Sequence, residues 1–417
     1  MKRRSYLSGF LCGIAFTLCI GTFAVIGERN GWFDWAYQTS NGSEKITNAQ
    51  RRRVLAKLSL LEGYIDKYYL NDLKAADYAD GLYKGLFASL NDKYAAYYSE
   101  EEYASISELN AGKYVGIGCS ISYDEKTGSF ILLQPYEEGP AKKAGVKSGD
   151  TLVSVDGERV TGLDLNEVVA LVKGEEGTDV ILTVRRASSQ KPIELVITRQ
   201  EVETKTITYS MLENQIGYLA IAGFKESTKE QFHNALEDLI SQDMKGLILD
   251  VRDNGGGSLS CVVDIADRLL PEGLIVYTRD KYEKGEDYHS TDEEQLDLPM
   301  VLLVNGNSAS ASEVLAGALK DHKAATLIGT RTYGKGIVQS IFELNDGSAL
   351  KLTTSKYYTP NGYNIHEVGI EPDIELELDE KSRTDAQDSD KPDPEKDNQL
   401  KAAIQCINEK LVKKSKK

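Results

Sequence analysis

The sequence predicts a multidomain α/β protein, and three observations support this fold class. The chain has 417 residues, which is too long for one hydrophobic core. Residues 201–378 alternate apolar runs of strand length with amphipathic runs of helix length, as expected of a sheet covered by helices. Residues 112–200 instead carry short alternating strands separated by Gly and Asp turns, which indicates a separate β-rich module.

Composition and charge exclude several classes of function. The chain has 49 Lys and Arg residues against 65 Asp and Glu residues, a formal net charge of −16. Binding to nucleic acid needs clustered basic residues that neutralise phosphates, so this acidic chain is not expected to bind it. The five cysteines and four histidines are scattered without the spacing of metal ligands or of a disulfide framework, so no metal site is predicted.

The N-terminus predicts a membrane anchor. Lys2, Arg3 and Arg4 precede residues 5–27, a run without any charged residue that is long enough to cross a bilayer. The run exceeds the ~7–15 apolar residues of a cleaved signal peptide and lacks a convincing small-x-small site, which favours an uncleaved signal anchor over residues 1–30. The basic flank should stay in the cytoplasm, so the rest of the chain is expected outside the cell membrane. Residues 31–48 are polar and indicate a tether.

Helical patterns flank the two central regions. Residues 49–111 are predicted to form a helical N-terminal domain, because Leu55, Leu58, Leu61 and Ile65 recur at spacings of three and four. Residues 379–417 begin as a charged, Pro-containing linker and end in an amphipathic helix with a basic end. The helical segments at the two ends of the chain suggest a homodimer.

One glycine turn, GTRTYGKG at residues 329–336, has two competing interpretations. It nearly matches a phosphate-binding loop, but such a loop needs Ser or Thr directly after its lysine and then a helix. Here Gly336 follows Lys335, and the next residues alternate as two strands around an Asn-Asp-Gly turn. A nucleotide site is therefore disfavoured.

The other interpretation makes Lys335 a catalytic base. A lysine amine has a pKa near about 10.4, and burial lowers it because the charged form loses solvation. Such an amine can accept the proton of a serine hydroxyl, as in Ser-Lys variants of the catalytic triad. Ser308, Ser310 and Ser312 lie where a predicted strand meets a predicted helix. From spacing alone, a capping role for these serines, with Glu313 nearby, is the better interpretation.

Three long stretches carry a family resemblance: LILDVRDNGGG at 247–257, NSASASEVLAGALKDHKAATLIGTRTYGKGIVQSIFEL at 307–344 and YYTPNGYNIHEVGIEPDI at 357–374. Together they resemble the C-terminal processing peptidases, the tail-specific serine proteases of the S41 type. The resemblance implies that Ser310 is the nucleophile, that Lys335 is the general base and that Gln339 orients the lysine. It also implies that the amides of Gly256 and Ala311 form the oxyanion hole, with no metal and no cofactor.

The preceding module resembles a PDZ domain of the same family, through YVGIGCSI at 114–121 and EEGPAKKAGVKSGDTLVSVDGERV at 137–160. The resemblance implies a PDZ domain over residues 112–200 that precedes a crotonase-like catalytic core over residues 201–378. A loop of Gly116, Ile117 and Gly118 would present backbone amides to a peptide carboxylate, and the strand after it would pair with an extended peptide. Val168 and Val169 are expected on the helical wall of the groove, although core packing is the preferred interpretation of each valine taken singly.

These observations predict a membrane-anchored serine endopeptidase with a Ser-Lys dyad. Its partners would be protein or peptide substrates recognised by their C-terminal tails, and it would act outside the cytoplasmic membrane. The alternative is a PDZ-bearing peptide-binding scaffold with an inactive protease domain. All the matched catalytic positions are filled, which argues against the scaffold.

Overall fold

The structure is a computed structural model that describes residues 46–71, 75–291, 293, 295–379 and 393–414. The predicted signal anchor and all but the last three residues of the predicted tether lie outside the described residues. Within those ranges, no helix combines the length and the apolar composition needed to cross a membrane. The chain divides into two compact units, Met1–Tyr78 and Ala79–Lys417.

The helices, in chain order, are α1 (Asn48–Tyr68), α2 (Ala75–Ala88), α3 (Glu100–Ala111), α4 (Pro140–Lys143), α5 (Leu165–Val172), α6 (Thr228–Ser241), α7 (Leu259–Leu269), α8 (Ala311–Asp321) and α9 (Asn398–Lys414). The strands are β1 (Ala96–Tyr98), β2 (Lys113–Gly116), β3 (Ile121–Asp124), β4 (Ser129–Leu132), β5 (Asp150–Val155), β6 (Glu158–Arg159), β7 (Asp179–Arg185), β8 (Ile193–Thr198), β9 (Gln200–Glu203), β10 (Ile207–Leu212), β11 (Ile216–Ile221), β12 (Gly246–Asp250), β13 (Gly273–Asp280), β14 (Asp287–Ser290), β15 (Met300–Val304), β16 (Ala325–Gly329), β17 (Ile337–Glu343), β18 (Ala349–Tyr358) and β19 (Ile374–Glu375).

Helix α1 in the first unit begins at a capping box. The Thr47 hydroxyl accepts the Gln50 N–H, and the Gln50 side chain accepts the Thr47 N–H. No residue of α1 is buried, and its apolar side chains, such as Leu55 and Leu61, are exposed. The helix therefore presents an apolar surface that its own unit does not cover.

The second unit contains a strand where the sequence predicted helix only. Strand β1 lies between α2 and α3 and pairs antiparallel with β18, with Tyr97 opposite Leu350. Tyr97 is buried there. The prediction of a wholly helical 49–111 segment is wrong at β1, because the partner of this short strand is distant in sequence and leaves no local periodicity.

The β-rich module forms a six-stranded sheet in the order β3-β4-β5-β7-β8, with β6 paired to β5. Strand β3 is at one edge, so one side of its backbone has no partner strand in this sheet. Its core is built from alternate residues of the strands, including Phe130, Leu132, Val180 and Leu182, all almost fully buried. Helix α5 packs on this core through Val168.

A second six-stranded sheet, in the order β10-β11-β12-β15-β16-β19, forms the centre of the C-terminal half. Strands β11, β12, β15 and β16 are parallel, and β12 and β15 are buried along their whole length. Helices α6, α7 and α8 cover one face, and α9 covers the other through Leu400, Ala403 and Ile407. The predicted alternation of strands and helices is found in β11, α6, β12, α7, β15, α8 and β16, whereas β13 and β14, between α7 and β15, were not predicted.

A further sheet, in the order β1-β18-β13-β14 with β17 paired to β18, completes the unit. The loops that follow β12, β15 and β16 leave the same edge of the central sheet, because the carboxyl ends of neighbouring parallel strands lie side by side. That edge carries the candidate active site.

Helix α9 should contribute strongly to stability through Ile407. Its side chain is fully buried and so close to Gly246 that a Cβ added to that glycine would lie 2.5 Å from Ile407 Cγ2. We expect Ile407→Ala to lower the free energy of unfolding by about 2–5 kcal/mol through lost burial and a residual cavity. Val412→Ala, at a half-exposed position on the same helix, should change it by about 0.5 kcal/mol at most. Urea unfolding followed by circular dichroism measures both, and equal effects would contradict this account of α9.

Candidate active site

Three loops meet at the carboxyl edge of the central sheet. The loop after β12 contains Gly255, Gly256 and Gly257, and the loop after β16 contains Lys335. The loop after β15 contains Ser308 and Ser310, and Ser312 follows in the first turn of α8. Backbone hydrogen bonds join them, since the Ala309 N–H donates to the Asn254 carbonyl at 3.0 Å and the Tyr333 N–H donates to the Ser308 carbonyl at 3.0 Å. The three stretches that the sequence singled out are thus assembled into one site.

The hydrogen bonds distinguish the three serines. The Ser308 hydroxyl donates to the Val251 carbonyl at 2.7 Å, and the Ser312 hydroxyl donates to the Asn254 carbonyl at 2.9 Å, both in the fully buried interior. Both hydroxyls therefore hold the loop after β12 in place. The Ser310 hydroxyl instead faces the buried phenol of Tyr357. Burial raises the pKa of Tyr357 to about 12, and the hydrogen bond with Ser310 opposes that rise.

Ser310 adopts a strained backbone conformation. Its φ of 57° and ψ of −113° place a residue with a side chain in a region that favours glycine, directly before α8. Such strain persists only where the surrounding structure imposes it, and it is concentrated at functional sites. The strained turn is the local reason that Ser310 points away from the carbonyls that bind its two neighbours.

Gly256 lies directly against Ser310. A Cβ added to it would be 2.7 Å from the Ala309 carbonyl oxygen, 2.8 Å from Ser310 Cβ and 3.0 Å from the Ala311 nitrogen, and its φ is 102°. Only glycine fits this position. The predicted oxyanion donors, the amides of Gly256 and Ala311, are thus brought close to Ser310. The Gly256 N–H already donates to Asn254 Oδ1 at 2.8 Å, whereas Ala311 occupies the first position of α8, where helix N–H groups lack intrahelical acceptors.

Lys335 is half-buried, and its amine is in contact with an aromatic ring. Burial lowers the pKa of Lys335 from its ordinary value. Lys351 and Lys93 lower this pKa further, while Tyr333 and Asp92 raise it. The Nζ atom lies 4.5 Å from the centroid of the Tyr94 ring.

The structure does not join the amine to the serine by a hydrogen bond. Among the described residues, none accepts a hydrogen bond from Lys335 Nζ, and no bond is formed between that atom and Ser310 Oγ. Gln339 lies on β17 opposite Thr353, and its side-chain amide donates to the Ile337 carbonyl at 3.4 Å. The three residues predicted as the catalytic group therefore lie in neighbouring elements without direct side-chain bonds to one another.

Glu313, which the sequence predicted only as a capping residue, also binds the turn that carries Lys335. Its fully buried carboxylate accepts the N–H groups of Ser310 at 2.9 Å, Gly334 at 2.7 Å and Lys335 at 2.7 Å. It also accepts the Thr332 hydroxyl at 2.6 Å. One side chain thus fixes the backbone of the predicted nucleophile and of the predicted base. Its position three residues after Ser310 was the available signal, but spacing cannot distinguish a cap from a bond to a distant loop.

The β-rich module contains a cavity of about 570 Å³ beside its edge strand β3. Gly116, Ile117 and Val169, which the sequence assigned to a peptide groove, line this cavity together with Glu108 and Leu109 of α3. Val168 does not line the cavity. It is fully buried in the core of the module, because it faces the sheet from the inner side of α5.

Gly118, also predicted to bind peptide, is not among the residues that line this cavity. Its φ is 68°, and its carbonyl accepts the Tyr136 N–H at 3.0 Å. Gly118 therefore supplies the left-handed backbone conformation of the turn between β2 and β3, and its carbonyl binds the loop that contains Tyr136.

The chain is similar to known proteins over most of its length. The model of peptidase family S41 matches residues 215–376, and a PDZ domain model matches residues 131–186. The chain is 38% identical over 301 residues to a carboxy-terminal-processing protease of Bartonella bacilliformis, covering 70% of this chain and 68% of the relative. It is 34% identical to a carboxyl-terminal-processing protease of Synechocystis sp., covering 75% and 74%.

Among solved structures, the photosystem II D1 C-terminal processing protease is similar, with 33% identity and a TM-score of 0.45. That similarity covers 77% of this chain and 86% of the other.

The role of Glu313 can be tested by removing its charge. Gln at this position keeps the shape but offers a single acceptor oxygen to four donors. Each buried donor left unpaired costs about 1–3 kcal/mol, so we expect Glu313→Gln to lower the free energy of unfolding by about 3 kcal/mol or more. Displacing the serine and the lysine should also lower kcat at least about tenfold, with a smaller change in KM. Denaturant unfolding and steady-state kinetics measure these effects.

The matched control is Glu371→Gln. The Glu371 carboxylate is exposed and pairs with Arg331 at the surface, so its removal should leave stability nearly unchanged. Equal stability of the two variants would show that Glu313 does not hold the loops.

Proposed function

The chain belongs to the S41 family of serine peptidases, and we propose from this premise that it is an endopeptidase that processes proteins at their C-terminal ends. The arrangement around Ser310 is the observation that carries the proposal. Of the three clustered serines, Ser310 is the one whose hydroxyl is not bonded to a backbone carbonyl, and it adjoins Gly256 and Ala311. A hydroxyl held beside backbone amides fits acyl transfer.

In the proposed reaction Ser310 Oγ attacks the scissile carbonyl, and the neutral amine of Lys335 accepts the hydroxyl proton. The negative charge on the carbonyl oxygen is stabilised by the amides of Gly256 and Ala311. Collapse of the tetrahedral intermediate breaks the C–N bond, and Lys335 donates the proton to the departing amine. Water then hydrolyses the acyl-enzyme, with Lys335 again accepting a proton, and Ser310 is restored.

Two contacts in the resting structure must change during the proposed reaction: the contact of Lys335 with the Tyr94 ring and the hydrogen bond from Gly256 to Asn254. A general base must come within hydrogen-bonding distance of the proton it removes, so the Lys335 amine has to leave the Tyr94 ring to reach Ser310. The Gly256 N–H must likewise exchange Asn254 for the substrate oxygen. Gln339, on the strand that follows the lysine turn, is proposed to orient the amine once it has moved.

We propose that the PDZ domain receives the C-terminal tail of the substrate. The groove beside β3 supports this, because an edge strand can pair with an extended peptide and the Gly116–Ile117 turn supplies backbone amides. The apolar side chain of Val169 fits an apolar terminal residue. Relatives named carboxy-terminal-processing proteases agree with this proposal.

We also propose a membrane anchor, a homodimer and a crotonase-like catalytic core. The uncharged run 5–27 supports a signal anchor with the catalytic part outside the cell membrane. The uncovered apolar side chains of α1 support a homodimer. The parallel sheet with helices on both faces supports a crotonase-like catalytic core.

The alternative of a PDZ scaffold with an inactive protease domain is not favoured, because the relatives are named proteases.

The nucleophile is tested by Ser310→Ala. We expect a loss of at least about 10³-fold in the rate of peptide cleavage, because the group that forms the acyl-enzyme is removed. Ser308→Ala removes a hydroxyl two residues away and should cost about 1–3 kcal/mol of stability while leaving cleavage measurable. The assay uses a tailed model protein, with binding of the tail measured separately. Equal cleavage by the unmodified protein and Ser310→Ala, with tail binding retained, would favour the scaffold instead.

The base is tested by Lys335→Arg and by pH. Arg stays protonated at every usable pH, so Lys335→Arg should abolish cleavage while circular dichroism shows an intact fold. Lys356→Arg, at an exposed position on β18, is the control and should remain active. In the unmodified protein the neutral amine accumulates above its lowered pKa, so kcat/KM should rise with pH through a midpoint below about 10.4. A midpoint at or above that value would contradict the assignment.

A further inference from the structure

The segment before β1 delivers one aromatic ring to the catalytic lysine. Asn91 has a φ of 52°, and residues 92–95 form a turn in which the Ala95 N–H donates to the Asp92 carbonyl at 3.2 Å. The Tyr94 N–H donates to Asp92 Oδ1 at 2.9 Å. Strand β1 then pairs with β18, in the sheet that also holds β17. Both ends of the turn are therefore fixed, and Tyr94 is held in place.

The ring of Tyr94 is the contact that the structure gives to the Lys335 amine. The distance of 4.5 Å from Nζ to the ring centroid lies within the range of cation–π interactions. Among the described residues, the amine has no carboxylate within ion-pair distance and no hydrogen-bond acceptor. The face of an aromatic ring attracts the ammonium form through its quadrupole, and it offers much less to a neutral amine.

The surrounding charges do not replace the ring. Lys351 on β18 and Lys93 beside Tyr94 both repel the protonated amine, and Asp92 attracts it. Tyr333, on the same turn as Lys335, accepts a hydrogen bond from Lys93 Nζ at 3.3 Å. Lys93 Nζ also lies 4.9 Å from the Tyr94 ring centroid. The amine thus has two positive neighbours, and the Tyr94 ring in contact with it adds to Asp92 and Tyr333 in favouring the protonated form.

We propose that Tyr94 is a positioning residue that holds the protonated amine of Lys335 in a resting place away from Ser310. This inference rests on the proposed function, in which Lys335 is the base. Loss of the proton removes the attraction to the ring, and the neutral amine can then turn to the Ser310 hydroxyl. The ring therefore couples the protonation state of the base to its location.

The test replaces the ring but keeps apolar volume. Tyr94→Leu removes the quadrupole, Tyr94→Phe retains it, and Tyr94→Met is a second ringless variant in case leucine disturbs the turn. Tyr282→Leu is the matched control, since Lys281 Nζ lies 5.0 Å from the centroid of that ring on the hairpin between β13 and β14. Two readouts are taken on the full chain: the pH profile of kcat/KM, and the titration of the Lys335 side chain by NMR of isotope-labelled lysine.

The ring stabilises the charged form, so removing it should lower the pH at which the amine loses its proton. We expect the midpoint of both readouts to move to lower pH by about 0.5–1 unit in the leucine and methionine variants. On the acidic side of the midpoint, kcat/KM should rise about three- to tenfold. The phenylalanine variant and Tyr282→Leu should keep the midpoint of the unmodified protein. An unchanged or higher midpoint in both ringless variants would overturn the inference, as would a fall in kcat with no shift of the profile.

The outcome also separates this inference from the proposed function. If Lys335→Arg stays active, Lys335 is not the base and the proposed mechanism fails, whatever the NMR titration shows about the ring. If Lys335→Arg is inactive and the ringless variants titrate like the unmodified protein, the mechanism stands and the role of Tyr94 is rejected.

Discussion

The carboxylate of Glu313 accepts hydrogen bonds from four donors that belong to two different loops. One donor is the backbone of Ser310, and the other three lie in the turn that carries Lys335. A buried carboxylate is unfavourable unless its acceptor sites are filled, so the two loops and the charge stabilise one another. The relative position of the proposed nucleophile and the proposed base depends on this one side chain, although it takes no chemical part in the proposed reaction.

The loop after β12 is held from two sides. Ser308 and Ser312 bind its carbonyls from the active-site side, and Arg252 anchors its start on the opposite side. The Arg252 guanidinium pairs with Asp250 and with Asp397, just before helix α9. The C-terminal helix therefore supports the strand end from which the loop with the proposed oxyanion donor Gly256 emerges. Helix α9 carries none of the proposed catalytic residues, and its contribution is to pack on the central sheet and to hold Arg252 through Asp397.

The two demands on Lys335 are met by different parts of the fold. Burial and two neighbouring lysines disfavour the charged amine, as a base near neutral pH requires. The Tyr94 ring favours the charged amine and lies on a segment attached to a separate strand. The strained Ser310 and the tightly packed Gly256 form the rigid half of the site, and the lysine forms the adjustable half.

The sequence by itself determined the parallel strands of the central sheet, the helices between them and the loops that carry chemistry, because hydrophobic periodicity and glycine turns are local signals. It did not indicate β13 and β14. It also ruled against a phosphate loop at Lys335, and the strands β17 and β18 follow that turn as predicted. Only the tertiary structure decided which of three evenly spaced serines has a hydroxyl not bonded to a backbone carbonyl, that Val168 faces the core, and that β1 is a strand. It alone showed Glu313 and Tyr94 at the site. Each of these depends on a contact between residues far apart in the chain, which local patterns do not record.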